Sequence, residues 1–515
     1  MSRQLPDAPA IVAAVRRFVD KEVIPAASGL EHADAYPHEL VARMRELGLF
    51  GAVSMIVGIV IGSGIFLGVN RVAAGAGSPW LVVAVWVAGG LLTLMGALCY
   101  AELGVLFPRA GGEYVFLREA IGPFLAFLSG WTAFTINLAG SAAALADIFA
   151  TQLNRLKPDG FAFLGGSSFW STKFTGACLI AFLAILNWFG LRYGAGVQKL
   201  FTAVKGLLMV GLAVACLVFM GASATPRAGF FEFVTTPGTP TAEGFSLSGL
   251  LTLSLVAALF AYDGWTNVVR VGSEVKDPHR NLPRAMLLGL GAVMTLYILL
   301  SLGYLNVLGF QGFASSPKTV ATDAARVLFG GAGQAIVASL ILVSVFSSLN
   351  GITISGPRIY YAMARDRLFP GLFDKVNRHH VPGRAIFAQA ALSIVFLLAY
   401  GFDKLTDNVV FISFIFYGLA AFGLVRLRKT RPDLPRAYKV PGYPFLPIAF
   451  IVLAWSFSGY QLYQNVADAV HAGLGSLDAV VDNLFRVFAL LVVAAGVPVY
   501  LFYRRRASGA AAETA

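Results

Sequence analysis

Two apolar segments of this chain contain glycines that would interrupt a membrane helix and expose backbone groups able to bind a ligand. They are Ile61-Gly62-Ser63-Gly64-Ile65-Phe66 in the first half and Phe260-Ala261-Tyr262-Asp263-Gly264-Trp265 in the second. Inside hydrocarbon, an unpaired N–H or C=O group is costly unless it is buried in protein or lines a cavity. Two such interruptions in corresponding places therefore predict one shared binding site of a membrane transporter.

The backbone of these segments indicates which ligand groups they could bind. The three small residues between Ile61 and Ile65 leave room for N–H groups at the start of the outer half-helix to surround a carboxylate, which the positive helix end also favours. The carbonyl groups around Ile61, Phe260 and Ala261 could accept hydrogen bonds from an ammonium group. Taken alone, the Gly-Ser-Gly run is more typical of a close contact between two helices; the second interruption favours the binding site.

Two charged residues fall within predicted spans, where a charge costs at least ~2.5 kcal/mol unless it is paired or hydrated. Asp263 lies in the second interrupted segment, and Lys205 lies about two helical turns into the fifth predicted span. For Asp263 two roles remain open: binding a cationic ligand side chain, or hydrogen bonding to the unwound backbone. For Lys205 the alternative to a buried role is extension to the membrane interface.

A further pair of carboxylates, Glu102 and Glu113, flanks a loop that contains Arg109 and Arg118. Opposite charges this close in sequence favour local ion pairs. We therefore predict ion pairs within this loop rather than a role in binding substrate.

The composition requires that most of the chain be surrounded by lipid. Of its 515 residues, 57% are hydrophobic and 13% are charged, and apolar runs of the length needed to cross a bilayer recur about twelve times. The sequence thus predicts an all-α membrane protein. The net charge of +12 does not indicate nucleic-acid binding, because most Lys and Arg lie before the first span and in alternate loops. That asymmetry places both termini in the cytoplasm.

Residues 1–50 differ from the rest of the chain. Apolar residues recur at helical spacing until Pro25, and Pro37 begins a second such pattern. The run FVDKEVIPA at Phe18–Ala26 and YPHEL at Tyr36–Leu40 resemble the first two helices of acyl-CoA dehydrogenases. The parts such enzymes need for flavin, acyl-CoA and a catalytic carboxylate are absent. We predict a cytoplasmic remnant over 1–50, a transmembrane domain over 51–506 and a tail over 507–515, with a membrane-tethered oxidoreductase as the alternative.

Five groups of motifs resemble the amino acid-polyamine-organocation permease superfamily, and the last three point to its L-type amino acid transporter-like branch. They are GIVIGSGIF at Gly58–Phe66, YAELG and PRAGGEY within Tyr100–Tyr114, FAYDGW and DPHRNLPR within Phe260–Arg284, SLNG and GPRIYYAMARD within Ser348–Asp366, and RPDLPRAY and PGYP within Arg431–Pro444. Together they cover most of the chain in the order that the family has.

This resemblance implies a leucine-transporter-like fold of two inverted five-helix repeats plus two further helices, in which helices 1 and 6 are broken. It implies that the breaks bind the α-carboxylate and α-ammonium groups of an amino acid, and that Phe260 is an aromatic gate. Lys205 would stand where sodium-coupled relatives bind a cation, against carbonyls of the first and eighth helices, and loss of its proton could loosen that contact. The predicted site comprises Ile61, Gly62, Ser63, Gly64, Ile65, Phe260, Ala261, Asp263 and Gly264, with Lys205 as the ion-coupling residue.

We therefore predict a secondary active transporter of L-amino acids in the plasma membrane. Proton symport is favoured over exchange, and a cationic amino acid or polyamine carrier is a further alternative. The sequence has no phosphate-binding loop for ATP, no spacing typical of metal ligands, and no predicted catalytic residue or cofactor. Residues 154–173 lack the cysteine through which animal L-type transporters bind an accessory glycoprotein, so we expect no heavy chain.

Overall fold

The structure is a computed structural model. It describes residues 47–62, 64–156, 168–221, 223–225, 227–234, 246–316, 319–379, 381–399, 402–472 and 490–506. Within these ranges the secondary structure is helical apart from one isolated parallel bridge between Leu47 and Val275. The predicted all-α class is thereby confirmed.

The helices of the first half are α1 (Leu49–Val60), α2 (Val69–Ala76), α3 (Pro79–Leu106), α4 (Glu113–Ala120), α5 (Pro123–Thr132), α6 (Leu138–Leu156), α7 (Ser168–Trp188) and α8 (Leu191–Leu217). Single π-helical segments at Gly64–Gly68 and Ala133–Asn137 lead into α2 and α6.

The helices of the second half are α9 (Leu247–Gly249), α10 (Val256–Tyr262), α11 (Asn267–Arg270), α12 (Pro278–Ala314), α13 (Val320–Phe329), α14 (Gly331–Ser355), α15 (Pro357–Arg365), α16 (Gly383–Ala399), α17 (Phe402–Thr430), α18 (Phe445–Ala472) and α19 (490–506). A π-helical segment, Leu250–Leu255, joins α9 to α10, and short 3-10 turns lie at Gly272–Glu274 and Gly371–Phe373.

Nine helical stretches of the described residues are long and apolar enough to cross a membrane. The helices α1 and α16 are equally apolar but shorter. Each long stretch carries at most two charged residues over an 18-residue window, as a lipid-embedded helix requires. The chain is therefore a multi-pass membrane protein.

The interrupted helices lie at the centre of the bundle. Helix α1 packs against α12, α8 and α14, while α12 also packs against α3. The half-helices cross-pack, because α10 contacts the π-helical segment Gly64–Gly68 and α2 contacts the π-helical segment Leu250–Leu255. The two interrupted segments are thus in direct contact with each other.

The transmembrane body begins slightly before the predicted boundary at residue 51. The N–H of Leu47 donates to Glu274 O at 2.9 Å, and the N–H of Lys276 donates to Leu47 O at 2.8 Å. Leu47 is 1% exposed, and α1 begins at Leu49. The predicted helices of the segment that resembles acyl-CoA dehydrogenases, between residues 1 and 46, lie outside the described residues.

The prediction of local ion pairs for Glu102 and Glu113 is wrong. Glu113 pairs with Arg270 at 2.5 Å, and Glu102 pairs with Arg428 at 2.5 Å, both far along the chain. Glu102 is fully buried and Glu113 is 4% exposed. Because a buried carboxylate needs a close partner, the arginines that the fold brings to these sites replace those nearby in sequence.

Candidate functional site

The first break frees the carbonyl end of α1. Helix α1 stops at Val60, and Ile61 leaves the helical region with φ −73° and ψ 79°. Gly62 N–H turns back to Val60 O at 2.7 Å, and helical structure resumes at Gly64. The last carbonyls of α1 therefore have no intrahelical donor and need partners from elsewhere.

Those carbonyls bind a buried lysine. Lys205, on α8 and fully buried, donates through Nζ to Gly58 O at 2.6 Å and to Ile61 O at 2.7 Å. Among the described residues no carboxylate lies within ion-pair distance of this ammonium group. Its charge is therefore stabilised by the negative end of α1. The alternative of a lysine extended to the membrane interface is wrong.

Serines of α14 donate to the same carbonyls. Ser344 Oγ lies 2.8 Å from Ile61 O, and Ser348 Oγ lies 3.1 Å from Gly58 O and 3.2 Å from Ile61 O. The eighth span of the predicted topology thus supplies hydroxyl groups that share the acceptors of Lys205, where the resemblance implied carbonyls. Ile61 O, expected to accept from a ligand ammonium group, already lies within hydrogen-bond distance of donors on three side chains.

The second break is a tight turn. Helix α10 ends at Tyr262, Asp263 is extended with ψ 155°, and Gly264 has φ +110°. Residues with a Cβ rarely adopt that φ, so glycine is required here. Asp263 N–H donates to Phe260 O at 3.1 Å, and the Asn267 side chain donates to Gly264 O at 2.8 Å.

The Asp263 carboxylate has a partner on another helix. Tyr417 OH, on α17, donates to Asp263 Oδ1 at 2.8 Å. Asp263 also borders an internal cavity that adjoins both breaks. The carboxylate therefore joins the second break to α17 and faces the space in which a ligand would lie, which is compatible with both predicted roles.

The two breaks pack directly on each other. A Cβ on Gly64 would lie 2.6 Å from Ala261 Cα, and a Cβ on Gly264 would lie 2.7 Å from Ile59 Cγ2. Tyr297 OH, on α12, lies 3.1 Å from Val60 O and 3.0 Å from Ala261 O. Each break thus places a glycine against the helix end of the other, and one phenol bridges both.

A cavity enclosing about 630 Å³, its mouth included, adjoins both breaks. Among the predicted residues, its walls include Gly62, Gly64, Phe260, Asp263 and Gly264.

The remaining predicted residues take other positions. Ile61 and Ala261 are buried and present their carbonyls to the protein's own donors. Ile65 is fully buried beside the break, and Ser63 lies outside the described residues.

Sequence reasoning missed the polar residues that other helices bring to the cavity. These are Asn137 and Ser141 near the start of α6, Thr266, Asn267 and Arg270 at the second break, and Ser413 and Tyr417 on α17. Asn137 donates to Ser413 Oγ at 3.2 Å, while its buried Oδ1 has no hydrogen-bond partner among the residues that the structure describes. A single polar residue in an apolar helix indicates a possible cavity residue. The sequence does not show which of these residues face the same cavity.

Arg270 connects the cavity to a buried ion pair. Its guanidinium donates to Glu113 Oε1 at 2.5 Å and to Asn267 Oδ1 at 2.8 Å. Ser355, on α14, also hydrogen bonds to Asn267 Oδ1. Helices α4, α11 and α14 are therefore tied together next to the cavity in this conformation.

Comparison with known proteins identifies the family of this chain. The profile of the amino acid permease family matches residues 47–472. The serine/threonine exchanger SteT of Bacillus subtilis is 33% identical over 467 residues, which are 90% of this chain and 97% of that protein. The mouse b(0,+)-type amino acid transporter 1 is 30% identical over 80% of this chain and 81% of its own length, and rabbit large neutral amino acids transporter small subunit 2 is 30% identical over 89% and 80%.

A second profile, that of the acyl-CoA dehydrogenase N-terminal domain, matches residues 6–54. It overlaps the permease match only from residue 47 to residue 54. Because the permease match covers most of the chain and the curated relatives are transporters, the oxidoreductase alternative is wrong. The chain belongs to the amino acid permease family and is a membrane transporter of amino acids, not an enzyme.

Proposed function

We propose that this chain exchanges small neutral L-amino acids across the plasma membrane by alternating access. The observation that carries the proposal is the packing of the two helix breaks on each other beside one cavity. A half-helix that tilts about its break would open the cavity to one side, and the contact between Gly64 and Ala261 would transmit the tilt to the other break. We extend this to a topology of twelve spans with two inverted five-helix repeats.

The substrate backbone would lie between the two breaks. The N–H groups of Gly64 and Ile65 begin the helical segment that continues into α2, so they suit a carboxylate. The ammonium group would bind near Phe260 O and Ala261 O, the carbonyl oxygens that also accept from Asp263 N–H and from Tyr297 OH, since a carbonyl oxygen can accept more than one hydrogen bond. Phe260, half-buried at the cavity wall, would cover the bound molecule.

The substrate side chain would face α6 and α17. That wall carries Asn137, Ser141 and Ser413 together with the apolar Leu138 and Ala144. Hydroxyl and amide groups there favour small polar side chains, in agreement with the serine and threonine specificity in the name of the Bacillus relative. Asp263 leaves a cationic amino acid as the alternative substrate.

Because the same relative is an exchanger, we propose exchange ahead of the proton symport that the sequence alone favours. Proton symport remains the second candidate because Lys205 is the buried cation at the first break. If its ammonium group lost a proton, the bonds to Gly58 O and Ile61 O would weaken. That change would free α1 to move.

Uptake into proteoliposomes distinguishes these mechanisms. We would measure entry of labelled serine into vesicles that are empty or preloaded with unlabelled serine, with and without an inward proton gradient. Exchange predicts uptake only into preloaded vesicles. Accumulation in empty vesicles that a protonophore abolishes would overturn exchange in favour of proton symport.

We further propose that both termini face the cytoplasm and that transport needs no accessory chain. The basic end of α17, with Arg426, Arg428 and Lys429, supports this orientation. The test uses Lys429→Cys in a chain from which the exposed Cys178 has been removed. The new thiol should react with an impermeant maleimide only in inside-out vesicles. Reaction in right-side-out vesicles would reverse the proposed orientation, and transport by the purified chain alone would exclude a required partner.

A further inference from the structure

A second cavity, which shares no lining residue with the first, lies where α17 ends and the chain turns into α18. It encloses about 570 Å³, its open mouth included, and is lined by Arg428, Arg436 and Lys439 together with Pro432 and Leu434. No acidic side chain is among these lining residues. The amino acid site does not involve this cavity, so its basic character calls for a separate explanation.

Two of the three cations of this cavity are fixed in place. Arg428 donates to the fully buried Glu102 at 2.5 and 2.9 Å, and its guanidinium lies 3.9 Å from the ring centroid of Tyr443. Arg436 Nε lies 3.6 Å from the same carboxylate, and its other nitrogens donate to backbone carbonyls of the connecting segment, including Leu434 O at 3.0 Å. Both guanidinium groups are therefore positioned before any ligand arrives, which lowers the entropic cost of binding.

The charges at the cavity do not balance. Three cations line it, and Glu102 beneath them is the carboxylate that contacts two of these cations. Lys439 is exposed and makes no ion pair with any residue in the part of the chain that the structure describes. One carboxylate against three cations leaves a net charge of +2, which favours a ligand that carries a phosphate group.

The surface beside the cavity is apolar. Helix α18 begins at Phe445, and Phe445, Ile448 and Val452 are 78%, 47% and 56% exposed at successive positions of one helix face. In a membrane-spanning helix such a face contacts lipid. A soluble anion would use the basic cavity alone, whereas a phospholipid would use the cavity for its headgroup and this face for an acyl chain.

We propose that this cavity binds an anionic phospholipid, with the headgroup phosphate between Arg428, Arg436 and Lys439 and an acyl chain along the exposed face of α18. Basic pockets at the ends of membrane helices bind anionic headgroups by charge, and nearby apolar surface adds the hydrophobic contribution of the chain. The lipid would hold the segment between α17 and α18 against the end of α3, where Glu102 lies.

Lipid binding to the full chain, purified in a zwitterionic detergent, tests the proposal. Native mass spectrometry would follow titration with phosphatidylglycerol, with phosphatidylcholine as the reference lipid. Lys439→Gln is expected to weaken phosphatidylglycerol binding about fivefold, as loss of one basic residue near an anionic headgroup predicts. Lys429→Gln is the matched control, because Lys429 is also exposed, lies at the same end of α17 and does not line the cavity.

Three outcomes would overturn the proposal. Equal weakening by both substitutions would mean that the lipid responds to the general charge of this face. No weakening by Lys439→Gln would mean that the cavity is not the site. If inorganic phosphate at millimolar concentration displaced the lipid from the wild-type chain and bound equally well in its absence, the cavity would be a site for soluble anions.

Discussion

The two helix breaks serve one cavity but are stabilised in different ways. The carbonyls of the first break accept hydrogen bonds from side chains of three other helices, namely Lys205 on α8, Ser344 and Ser348 on α14, and Tyr297 on α12. The second break is closed largely by its own turn, through Asp263 N–H to Phe260 O and Asn267 to Gly264 O. A break held by many distant donors resists movement until those helices move, whereas a turn held locally can pivot as a unit.

The two breaks also differ in the charge of the groups that contact their carbonyls. A resident ammonium group compensates the negative end of α1 at the first break, so this break has less to offer a substrate cation. The carbonyls of the second break interact with neutral donors, the Asp263 N–H and the Tyr297 hydroxyl. We therefore expect the first break to bind the carboxylate of the substrate and the second to bind its ammonium group.

The largest loss is expected from Gly264→Ala. The added methyl group would lie 2.7 Å from Ile59 Cγ2, and φ +110° is unfavourable for alanine. We predict at least a tenfold reduction in the initial rate of amino acid uptake per molecule of purified protein. Gly68→Ala is the control, because a Cβ at that position meets no atom within 4 Å. Similar rates for both variants would show that close contact between the breaks is not needed for transport.

Lys205→Ala should have the next largest effect. Its loss leaves buried carbonyls of α1 without a charge-assisted hydrogen bond, which typically contributes about 1.5–3 kcal/mol. We predict a lower thermal denaturation temperature and strongly reduced exchange. Lys199→Ala, on the same helix, is the control and should lower neither. A Lys205→Ala variant that is as stable as wild type and transports equally well at every pH would remove both the bracing role and the proposed coupling role.

Asp263→Asn tests the second break with a smaller perturbation. The amide preserves shape and can still accept from Tyr417 OH, so we expect uptake of neutral amino acids to fall less than threefold. Tyr417→Phe is the matched comparison, because it removes the hydrogen bond between Tyr417 and Asp263 but keeps the carboxylate. If lysine or arginine is transported at all, only Asp263→Asn should abolish that activity, and competition assays with each amino acid would measure it. Unchanged selectivity would leave Asp263 as a hinge residue.

The smallest effect is expected from Ser344→Ala. Ile61 O would retain Lys205 at 2.7 Å and Ser348 at 3.2 Å, so the loss should be about 0.5–1.5 kcal/mol of stability, the usual value for one neutral hydrogen bond. Thermal denaturation of the purified variant measures it. A loss as large as that of Lys205→Ala would mean that the hydroxyl, rather than the ammonium group, determines the geometry of the first break.

The breaks could be predicted from the sequence because they depend on local chemistry. Glycine at positions 62, 64 and 264 within apolar runs signals a helix that cannot continue, and Lys205 in a membrane span signals a required acceptor. These features concern single segments and their environment. No knowledge of the relative rotation of the helices is needed to infer them.

The wall of the cavity could not be predicted in the same way. Whether Asn137, Ser413 and Tyr417 face the cavity depends on how α6 and α17 are rotated within the bundle. Rotation is determined by packing among many apolar residues that resemble one another in sequence. For the same reason the sequence points to nearby arginines as partners of Glu113, whereas the fold pairs it with Arg270 beside the second break.

The reciprocal contact of Gly64 with Ala261 and of Gly264 with Ile59 also bears on the tightness of coupling in the transport cycle. If each half-helix could pivot independently, both sides of the membrane would at times have access to the cavity together, and substrate would leak down its gradient. Two hinges in such close contact leave little room for independent movement. Small residues at these contacts would then limit futile cycling, and larger ones would be selected against even where the protein still folds.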